Sequence, residues 1–351
     1  MHYGVFNLSA LYPELATASA PFYAHLRAQV RAAEELGYQS FWFAEHHFHG
    51  FGGMLPSPHV VIANLAEVAP RLRFGTGVVL VPFHHPLRTA EDYATVDVLT
   101  GGRLEFGVGV GFQRLEADNF GCPLDTARAR FQEYLEVILQ AWRGGELHYE
   151  GQFGRWHAPV VLPRPVQQPH PPVWVAATGT PESFTWAGNQ GYRMMVIGFL
   201  NDPAGHAERI ALYRQAYRAA GHPPENERVL GAWHVYVSDD AAEVAAVGAR
   251  AMTGYLGAAQ RAQELAGVGR EFHAFPAHGP LLAKTGAMDF AAMQAARRAI
   301  MGDPVWCRDV LAELREQLGL TDMLFIFAHV GLPSEAVLRQ MDRWASQVLR
   351  L

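Results

Sequence analysis

The sequence predicts an α/β fold, a (β/α)8 TIM barrel of parallel strands and the helices that connect them. Short apolar segments, which are typical of buried strands, alternate with segments of helical periodicity along the 351 residues. Such alternation favours a parallel sheet, and eight strand–helix units favour its closure into a barrel. An open, doubly wound sheet is the alternative. It is less favoured, because Asn7-Leu8-Ser9-Ala10 after the first strand lacks the glycines of a dinucleotide-binding turn.

Eight segments are predicted to form the barrel strands. Each is short and apolar, and most are bounded by glycine, proline or a helix-start signal. In chain order they are Tyr3–Leu8, Ser40–Ala44, Leu72–Val81, Leu104–Gly109, Val173–Ala177, Met194–Ile197, Leu230–Val237 and Met323–Phe327.

The connecting helices are predicted from apolar periodicity and from residues at their ends. In the first helix Phe22, Leu26 and Val30 recur at helical spacing, and Gly37 ends it. The later helices begin at a capping residue, followed in three cases by proline: Thr180-Pro181, Asp202-Pro203, Asp303-Pro304 and Ser334. The other predicted helices are His59–Val68, Pro86–Leu99, Arg128–Trp142 and Ala241–Arg250.

Two stretches interrupt this rhythm within what we predict to be a single domain over residues 1–351. Residues 143–171, before the fifth strand, are rich in proline and read as an excursion of the chain. A long insertion at about 240–300 separates the seventh and eighth strands. Within it, residues 254–286 contain six glycines and lose periodicity after Leu265, which predicts a lid over the cavity mouth. A loop packed permanently on the barrel is the alternative.

Composition limits the classes of partner. The net charge is −6 and there is no basic run, which argues against nucleic acid. No apolar stretch reaches the roughly 20 residues of a membrane span. The sequence begins without a signal-peptide pattern, and Cys122 and Cys307 lack the spacing of a disulfide framework or zinc site. We therefore expect a cytoplasmic protein without membrane or nucleic-acid partners.

The second predicted strand ends in titratable residues. Its apolar residues, Phe41-Trp42-Phe43-Ala44, are followed at once by Glu45-His46-His47. In a parallel barrel the carboxyl ends of all strands face one cavity, where such folds keep their chemistry. A histidine with a nearby carboxylate can transfer protons near neutral pH. The alternative is that these residues form local polar pairs without a chemical role.

Glycines and hydroxyl residues follow the other strands. Gly77-Val78 and Gly109 lie at the third and fourth strand ends, where a backbone without Cβ can approach a planar ligand. Tight packing inside the barrel selects glycine equally well. Thr178-Gly179 stands before a helix N-terminus, which is a natural anion site. Metal-assisted hydrolysis is disfavoured, because the first strand lacks a following His-x-His and no late strand ends in a clear ligand Asp.

These segments together resemble the bacterial luciferase-like flavin-dependent monooxygenases, and among them the luciferase catalytic subunits. The resemblance is strongest over residues 1–140 and resumes at residues 172–176 and 182–191. It rests on Gly4-Val5-Phe6, Phe41 to Phe48, Gly75-Thr76-Gly77, His85-Pro86-Leu87-Arg88, Gly101 to Gly107, Pro172-Val173-Trp174-Val175-Ala176 and Trp186-Ala187. The family fold is a (β/α)8 barrel, in agreement with the strand count.

The resemblance implies a reaction and a set of site residues. The family uses reduced FMN, delivered by a separate flavin reductase, and O2 to form a C4a-peroxyflavin that oxidises a small organic substrate. The chain would then act as a homo- or heterodimer. His46 aligns with the catalytic histidine and Glu45 with its neighbouring acid. The residues implied to bind the flavin are Ala44, Gly77, Val78, Gly109, Arg128, Ala177, Thr178, Gly179 and Ser183, with the Gly77-Val78 peptide often cis.

Some positions depart from the luciferases. Their fourth strand carries an arginine where this chain has Val110 and a reactive cysteine where it has Gly109, and Thr178-Gly179 replaces a Glu-Ser pair. These differences disfavour light emission and long-chain aldehydes as substrates. We expect a monooxygenase that acts on an apolar aldehyde, ketone or aromatic compound. A deazaflavin-dependent hydride-transfer enzyme and a non-catalytic flavin-binding partner subunit are the alternatives.

Overall fold

The computed structural model of the chain describes residues 1–8, 19–50, 52–265 and 284–351. Its centre is a closed barrel of parallel strands, which confirms the predicted fold class. All strands of the described residues, numbered in chain order, are β1 (His2–Asn7), β2 (Ser40–Phe43), β3 (Arg73–Thr76), β4 (Val79–Leu80), β5 (Leu104–Gly109), β6 (Leu147–Glu150), β7 (Arg155–Ala158), β8 (Val173–Ala176), β9 (Arg193–Ile197), β10 (Val229–Val237), β11 (Ala299–Gly302) and β12 (Asp322–Ile326).

The barrel closes through eight strands in the order β1-β2-β3-β5-β8-β9-β10-β12, and β12 pairs again with β1. Every one of these pairings is parallel: Gly4 lies opposite Ser40 between β1 and β2, for example, and Leu230 lies opposite Asp322 between β10 and β12. The eight predicted strands are therefore the eight barrel strands. Because all of them run in one direction, their carboxyl ends converge on the same face.

Helices surround the barrel. Each helical connection returns the chain to the start of the next strand, as parallel pairing requires. The α-helices are Ser19–Glu35, Pro58–Leu65, Pro86–Leu99, Arg114–Asn119, Leu124–Arg143, Pro181–Asn189, Pro203–Ala219, Ala241–Leu265, Phe290–Ala295, Pro304–Leu318 and Ser334–Arg343. None of the helices in the described part of the chain is both long and apolar enough to span a membrane.

The apolar residues form two layers. Inside the barrel, Phe6, Trp42 and Trp174 belong to one buried cluster, whereas Phe41 and Phe43 pack outwards against the helices. The alternation along β2 follows from the two-residue period of a strand. At the amino-terminal end the barrel is closed by polar pairs, in which Glu105 accepts hydrogen bonds from Arg73, Arg193 and the Trp174 indole, and Asp322 pairs with Arg228.

The predicted third strand is interrupted. Residues 72–81 form β3 and β4 on either side of a cis Gly77-Val78 peptide, and the chain then turns through a short 3-10 segment, Val81–Phe83. Gly75 has a packing role, because a Cβ there would meet the Trp42 ring at 2.1 Å.

The excursion before the fifth barrel strand contains regular structure that the sequence pattern missed. Within residues 143–171, β6 and β7 form an antiparallel hairpin with Tyr149 opposite Trp156. Glu133 of the preceding helix accepts hydrogen bonds from the backbone amides of Gln152 and Phe153 in the hairpin turn, which fixes the hairpin to that helix.

The insertion between β10 and β12 is also more regular than predicted. The helix expected to end at Arg250 continues to Leu265, and β11 pairs with β10 in a parallel register, His234 opposite Ala299. The predicted lid over 254–286 begins inside this helix, and residues 266–283 lie outside the described residues.

Helix starts follow the predicted capping pattern with two exceptions. Asp202 and Asp303 each accept hydrogen bonds from backbone amides of the helix that follows them. Thr180 occupies the predicted N-cap position, but its side chain makes no capping hydrogen bond. Ser334 is the first residue of the last α-helix, and Pro333 holds the cap position. The Thr180 hydroxyl therefore remains available to a ligand.

Candidate active site

A cleft opens at the carboxyl ends of the strands. It is lined from six of the eight barrel strands or the loops that follow them and from three helices, and apolar surface predominates. Of the eleven predicted site residues, ten line it: Ala44, Glu45, His46, Gly77, Val78, Gly109, Arg128, Ala177, Thr178 and Ser183. The structure thus gathers residues that are up to 139 positions apart, from Ala44 to Ser183.

Gly179 is the predicted residue that does not line the cleft. Its carbonyl accepts a hydrogen bond from Arg209 Nε at 2.9 Å, and Arg209 Nη1 donates to the Gly205 carbonyl. Arg209 thereby fixes the loop after β8 to the helix Pro203–Ala219. Sequence reasoning missed Arg209, because it lies in the middle of an ordinary amphipathic helix.

The acid that pairs with His46 is Glu116, and the expectation that Glu45 fills this role is wrong. His46 Nδ1 donates to Glu116 Oε1 at 3.0 Å. The same oxygen accepts the backbone amide of His47 at 2.8 Å and lies 3.3 Å from His49 Nε2. Glu116 belongs to the short helix Arg114–Asn119 that follows the glycine-rich end of β5.

Glu116 is ionised in this environment. Burial disfavours its charge, but hydrogen bonds from His46 and His49 outweigh this cost and lower the pKa of Glu116 to about 2. A carboxylate can only accept hydrogen bonds, so the His46 proton stays on Nδ1 whenever the imidazole is neutral. The second ring nitrogen, Nε2, then carries a lone pair and no proton.

Glu45 organises a separate network. Its Oε1 accepts hydrogen bonds from His47 Nε2 at 3.0 Å and His84 Nε2 at 2.5 Å, and its Oε2 accepts the Leu80 amide at 3.4 Å. Burial opposes the charge on Glu45, yet His84 and His47 hold its pKa below the usual value; the same contact raises the pKa of His84 against its own burial. Glu45 therefore ties the catalytic segment to the loop of Val78 and Leu80.

Both histidine–glutamate groups have the composition of a metal site. In each one, three ligand atoms lie within 4.8 Å of one another; the sets are Glu45, His47 and His84, and His46, His49 and Glu116. In both sets, however, the histidines converge on one carboxylate oxygen at hydrogen-bonding distance. This geometry is that of charge-assisted hydrogen bonds.

One end of the cleft is built to receive an anion. Arg128 Nη1 donates to Ser183 Oγ at 2.7 Å. This bond brings together two predicted phosphate ligands that lie on different helices and are 55 positions apart in the sequence. Thr178 and Thr180 line the cleft at the start of helix Pro181–Asn189. The amides of this first turn and the helix dipole add to the positive potential.

The body of the cleft is apolar. Its apolar lining residues include Phe6, Val78, Ala176, Met195, Phe199, Leu200 and Tyr255. Gly109 is required for packing here, because a Cβ would meet Val78 Cγ2 at 2.6 Å. The sequence did not single out Tyr255, which lies in the insertion helix that was predicted to end before it.

Fold and site together give a (β/α)8 barrel with an apolar cleft, a histidine–carboxylate pair and a candidate anion site beside a helix N-terminus. The chain belongs to the luciferase-like monooxygenase family, whose sequence profile matches residues 1–322. This membership confirms the resemblance read from the sequence and places the protein among the luciferase-like monooxygenases and oxidoreductases.

Individual relatives agree with this assignment. The uncharacterized protein y4wF of Sinorhizobium fredii is 32% identical over 92% of this chain and 89% of its own length. The oxygenase component of the flavin-dependent trigonelline monooxygenase of Acinetobacter baylyi is 31% identical over 64% of this chain and 63% of its own. The crystal structure of monooxygenase RslO1 from Streptomyces bottropensis superimposes with a TM-score of 0.84 at 29% identity, covering 99% of both chains.

More distant structures share the fold alone. The oxygenating constituent of 3,6-diketocamphane monooxygenase from Pseudomonas putida, solved in complex with FMN, gives a TM-score of 0.80 at 18% identity over 99% of this chain and 97% of that chain. An F420-dependent secondary alcohol dehydrogenase gives 0.76 at 15% identity over 99% and 98%. The fold therefore serves both flavin and deazaflavin chemistry.

The low pKa of Glu116 predicts a specific pH dependence of stability. A carboxyl whose pKa falls from about 4.3 unfolded to about 2 folded stabilises the native state above the unfolded value. That contribution, roughly 3 kcal/mol, is lost as pH falls from about 5 to 2. We expect Glu116→Gln to be less stable near pH 6 and to lose less free energy of unfolding than the wild type between about pH 6 and 3, as measured by urea denaturation.

The exposed Glu335→Gln variant is the control for this measurement, and its pH dependence should match that of the wild type. If the free energy of unfolding of Glu116→Gln and of the wild type fell in parallel with pH, protonation of the Glu116 carboxylate would not contribute to the pH dependence of stability.

Proposed function

We propose that this protein is an FMN-dependent monooxygenase that uses reduced FMN and O2 to transfer one oxygen atom to a small, apolar organic substrate. The observation that carries the proposal is the joint geometry of the cleft. The His46–Glu116 pair lies beside an apolar body, and the Arg128–Ser183 pair stands at one end beside a helix N-terminus. A phosphorylated ligand with a planar, largely apolar head group has this distribution of properties.

The residues present fit FMN. Arg128, Ser183 and Thr178 would hold its phosphate, together with the first-turn amides of helix Pro181–Asn189. Gly77, Val78 and Gly109 would contact the ring system, because they line the apolar body. When bound, reduced FMN supplies the electrons that activate O2.

The protein's own residues would control protons and water. Glu116 holds the His46 proton on Nδ1, so Nε2 can take a proton from the reacting centre and return it later. Phe6, Met195 and Phe199 line the cleft with apolar surface, which keeps water from reactive species. Glu45 acts indirectly, since its bonds to His84 and the Leu80 amide hold the wall that carries Val78.

The relatives support a two-component system. The trigonelline enzyme is named as an oxygenase component, so we propose that a separate flavin reductase delivers the reduced FMN here too. A homo- or heterodimer remains our expectation for its assembly. Two alternatives need a test: deazaflavin-dependent hydride transfer, for which a distant structure offers a precedent of fold, and a non-catalytic partner subunit, which would have no use for the His46–Glu116 pair.

The cofactor can be identified by anaerobic titration. We expect reduced FMN to bind to the protein with saturation, whereas reduced deazaflavin F420 binds weakly because its longer anionic tail does not match a single phosphate site. Admitting air should then oxidise the bound FMN at a rate that differs from free FMN. Tight binding of F420 alone would favour hydride transfer and reject the monooxygenase, and oxidation at the rate of free FMN would favour a non-catalytic subunit.

His46→Ala should slow oxygenation by about 10²–10⁴-fold, the usual contribution of general acid–base catalysis. Its affinity for reduced FMN should change little, because His46 is not among the residues proposed to hold the phosphate or to contact the ring system. Turnover with the candidate substrate and fluorescence titration of FMN give the two readouts. His157→Ala, which removes a histidine from an exposed pair with Glu146, should leave both unchanged. Full turnover by His46→Ala would remove this residue from the mechanism.

Arg128→Ala should weaken FMN binding by about 10- to 150-fold, the equivalent of the 1.5–3 kcal/mol of a charge-assisted hydrogen bond. Riboflavin lacks the phosphate, so its affinity should hardly change. Calorimetric titration with both ligands measures the difference. Arg130→Ala is the matched control on the same helix, since Arg130 packs over Tyr134 and Phe153. Equal losses for both ligands would show that Arg128 does not bind the phosphate.

A further inference from the structure

A pair of buried histidines lies directly behind one wall of the cleft. His234 faces the barrel interior on β10, between Ala232 and Tyr236, and its ring contacts Phe199 and Tyr255 with centroids 4.7 and 5.2 Å away. Phe199 and Tyr255 both line the cleft. The His329 ring lies 5.4 Å from His234 on the other side.

The hydrogen-bonding capacity of this pair is largely unused within the part of the chain that the structure describes. His234 is 2% exposed, yet neither ring nitrogen has a hydrogen-bond partner there. His329 is 3% exposed; its Nε2 donates to the Val235 carbonyl at 2.9 Å, and its Nδ1 has no partner. A buried polar atom without a partner is costly, and proteins keep few of them. Three such atoms adjacent to a ligand cleft point to a ligand.

The chemistry of the pair defines the ligand group. Burial lowers the pKa of His234 well below its usual value and that of His329 to about 4, so both rings are neutral at physiological pH. His329 Nε2 carries the proton, because a carbonyl can only accept, and Nδ1 is therefore an acceptor. Neutral His234 offers one donor and one acceptor. A hydroxyl group, which both donates and accepts, matches this set, whereas two neutral rings offer a carboxylate no positive charge.

We propose that His234 and His329 form a neutral hydrogen-bonding subsite that binds the hydroxyl group of an aromatic substrate. Phe199 and Tyr255 meet edge to face, with centroids 4.9 Å apart, and a turn of either ring admits the hydroxyl end to His234. The aromatic body then lies against these rings, towards His46. The assignment of this site to a substrate rests on the proposed monooxygenase function. Its ability to bind a hydroxyl group does not depend on that function.

The test compares phenol with toluene, which has nearly the same shape but no hydroxyl group. Binding to the flavin-free protein is measured by ligand-observed NMR. We expect phenol to bind about tenfold more tightly than toluene, the value of one to two ordinary hydrogen bonds. His234→Leu should abolish this preference, and His234→Gln, which keeps a donor and an acceptor, should retain part of it. His59→Leu, which changes a half-buried histidine on the helix Pro58–Leu65, should retain all of it.

Thermal unfolding separates this role from a structural one. His234→Leu removes two unpartnered polar atoms, so its midpoint should equal or exceed that of the wild type, whereas loss of a structural histidine would lower it. If His234→Leu does not fold, the ring ¹⁵N resonances of His234 in the wild type provide the test, and phenol must shift them. Equal affinities for phenol and toluene in the wild type, a preference that survives in His234→Leu, or unshifted resonances would each overturn the proposal.

The same variants distinguish this proposal from the proposed function. His234→Leu should bind FMN as tightly as the wild type, since it lies outside the phosphate end and the ring contacts. A phenol preference in a protein that does not bind FMN would retain the subsite and reject the monooxygenase. FMN binding without a phenol preference would retain the monooxygenase and reject the subsite.

Discussion

The active site depends on one buried carboxylate. Glu116 is ionised without an Arg or Lys partner among its hydrogen-bond donors in the described residues, and its charge is stabilised by His46, His49 and the His47 amide. These donors all come from a segment of four residues that has no regular secondary structure after β2. The carboxylate therefore does two things at once: it fixes the path of this segment, and it sets the tautomer of His46. A neutral side chain in place of Glu116 could neither fix the segment nor set the His46 tautomer as fully as the carboxylate does.

Much of the fold was predictable because its signals are local. Apolar segments of four to ten residues marked all eight barrel strands, and Asp202-Pro203 and Asp303-Pro304 marked helix starts that the structure contains. The candidate anion site also had a local signal, since Thr178-Gly179 stands just before the start of helix Pro181–Asn189. The pattern missed β6, β7 and β11, which lie in the two stretches read as an excursion and an insertion, and the hairpin is held by Glu133 from another element.

The pairing of His46 was not predictable from adjacency. Glu45 is next to His46 in the chain, but their side chains go to different partners: Glu45 meets His47 and His84, and His46 meets Glu116, 70 residues later. Neighbouring residues of an extended chain point to opposite sides, so the adjacent acid is poorly placed to reach the same ring. The acid was identifiable in principle as a Glu in the helix after the fourth barrel strand, yet nothing in the local sequence separates Glu116 from Asp118.

The same alternation explains how one short segment serves two purposes. Through Glu45 it is fixed to the Leu80 amide and His84, and so to the wall that carries Val78; through His46 it is fixed to Glu116 and faces the cleft. The position of the proton-transfer group and the position of the proposed ring-binding wall are thus set by adjacent residues. A displacement of the segment would move both together, which preserves their relative geometry. Separate anchors on two loops would not have this property, and catalysis is sensitive to errors of about 1 Å.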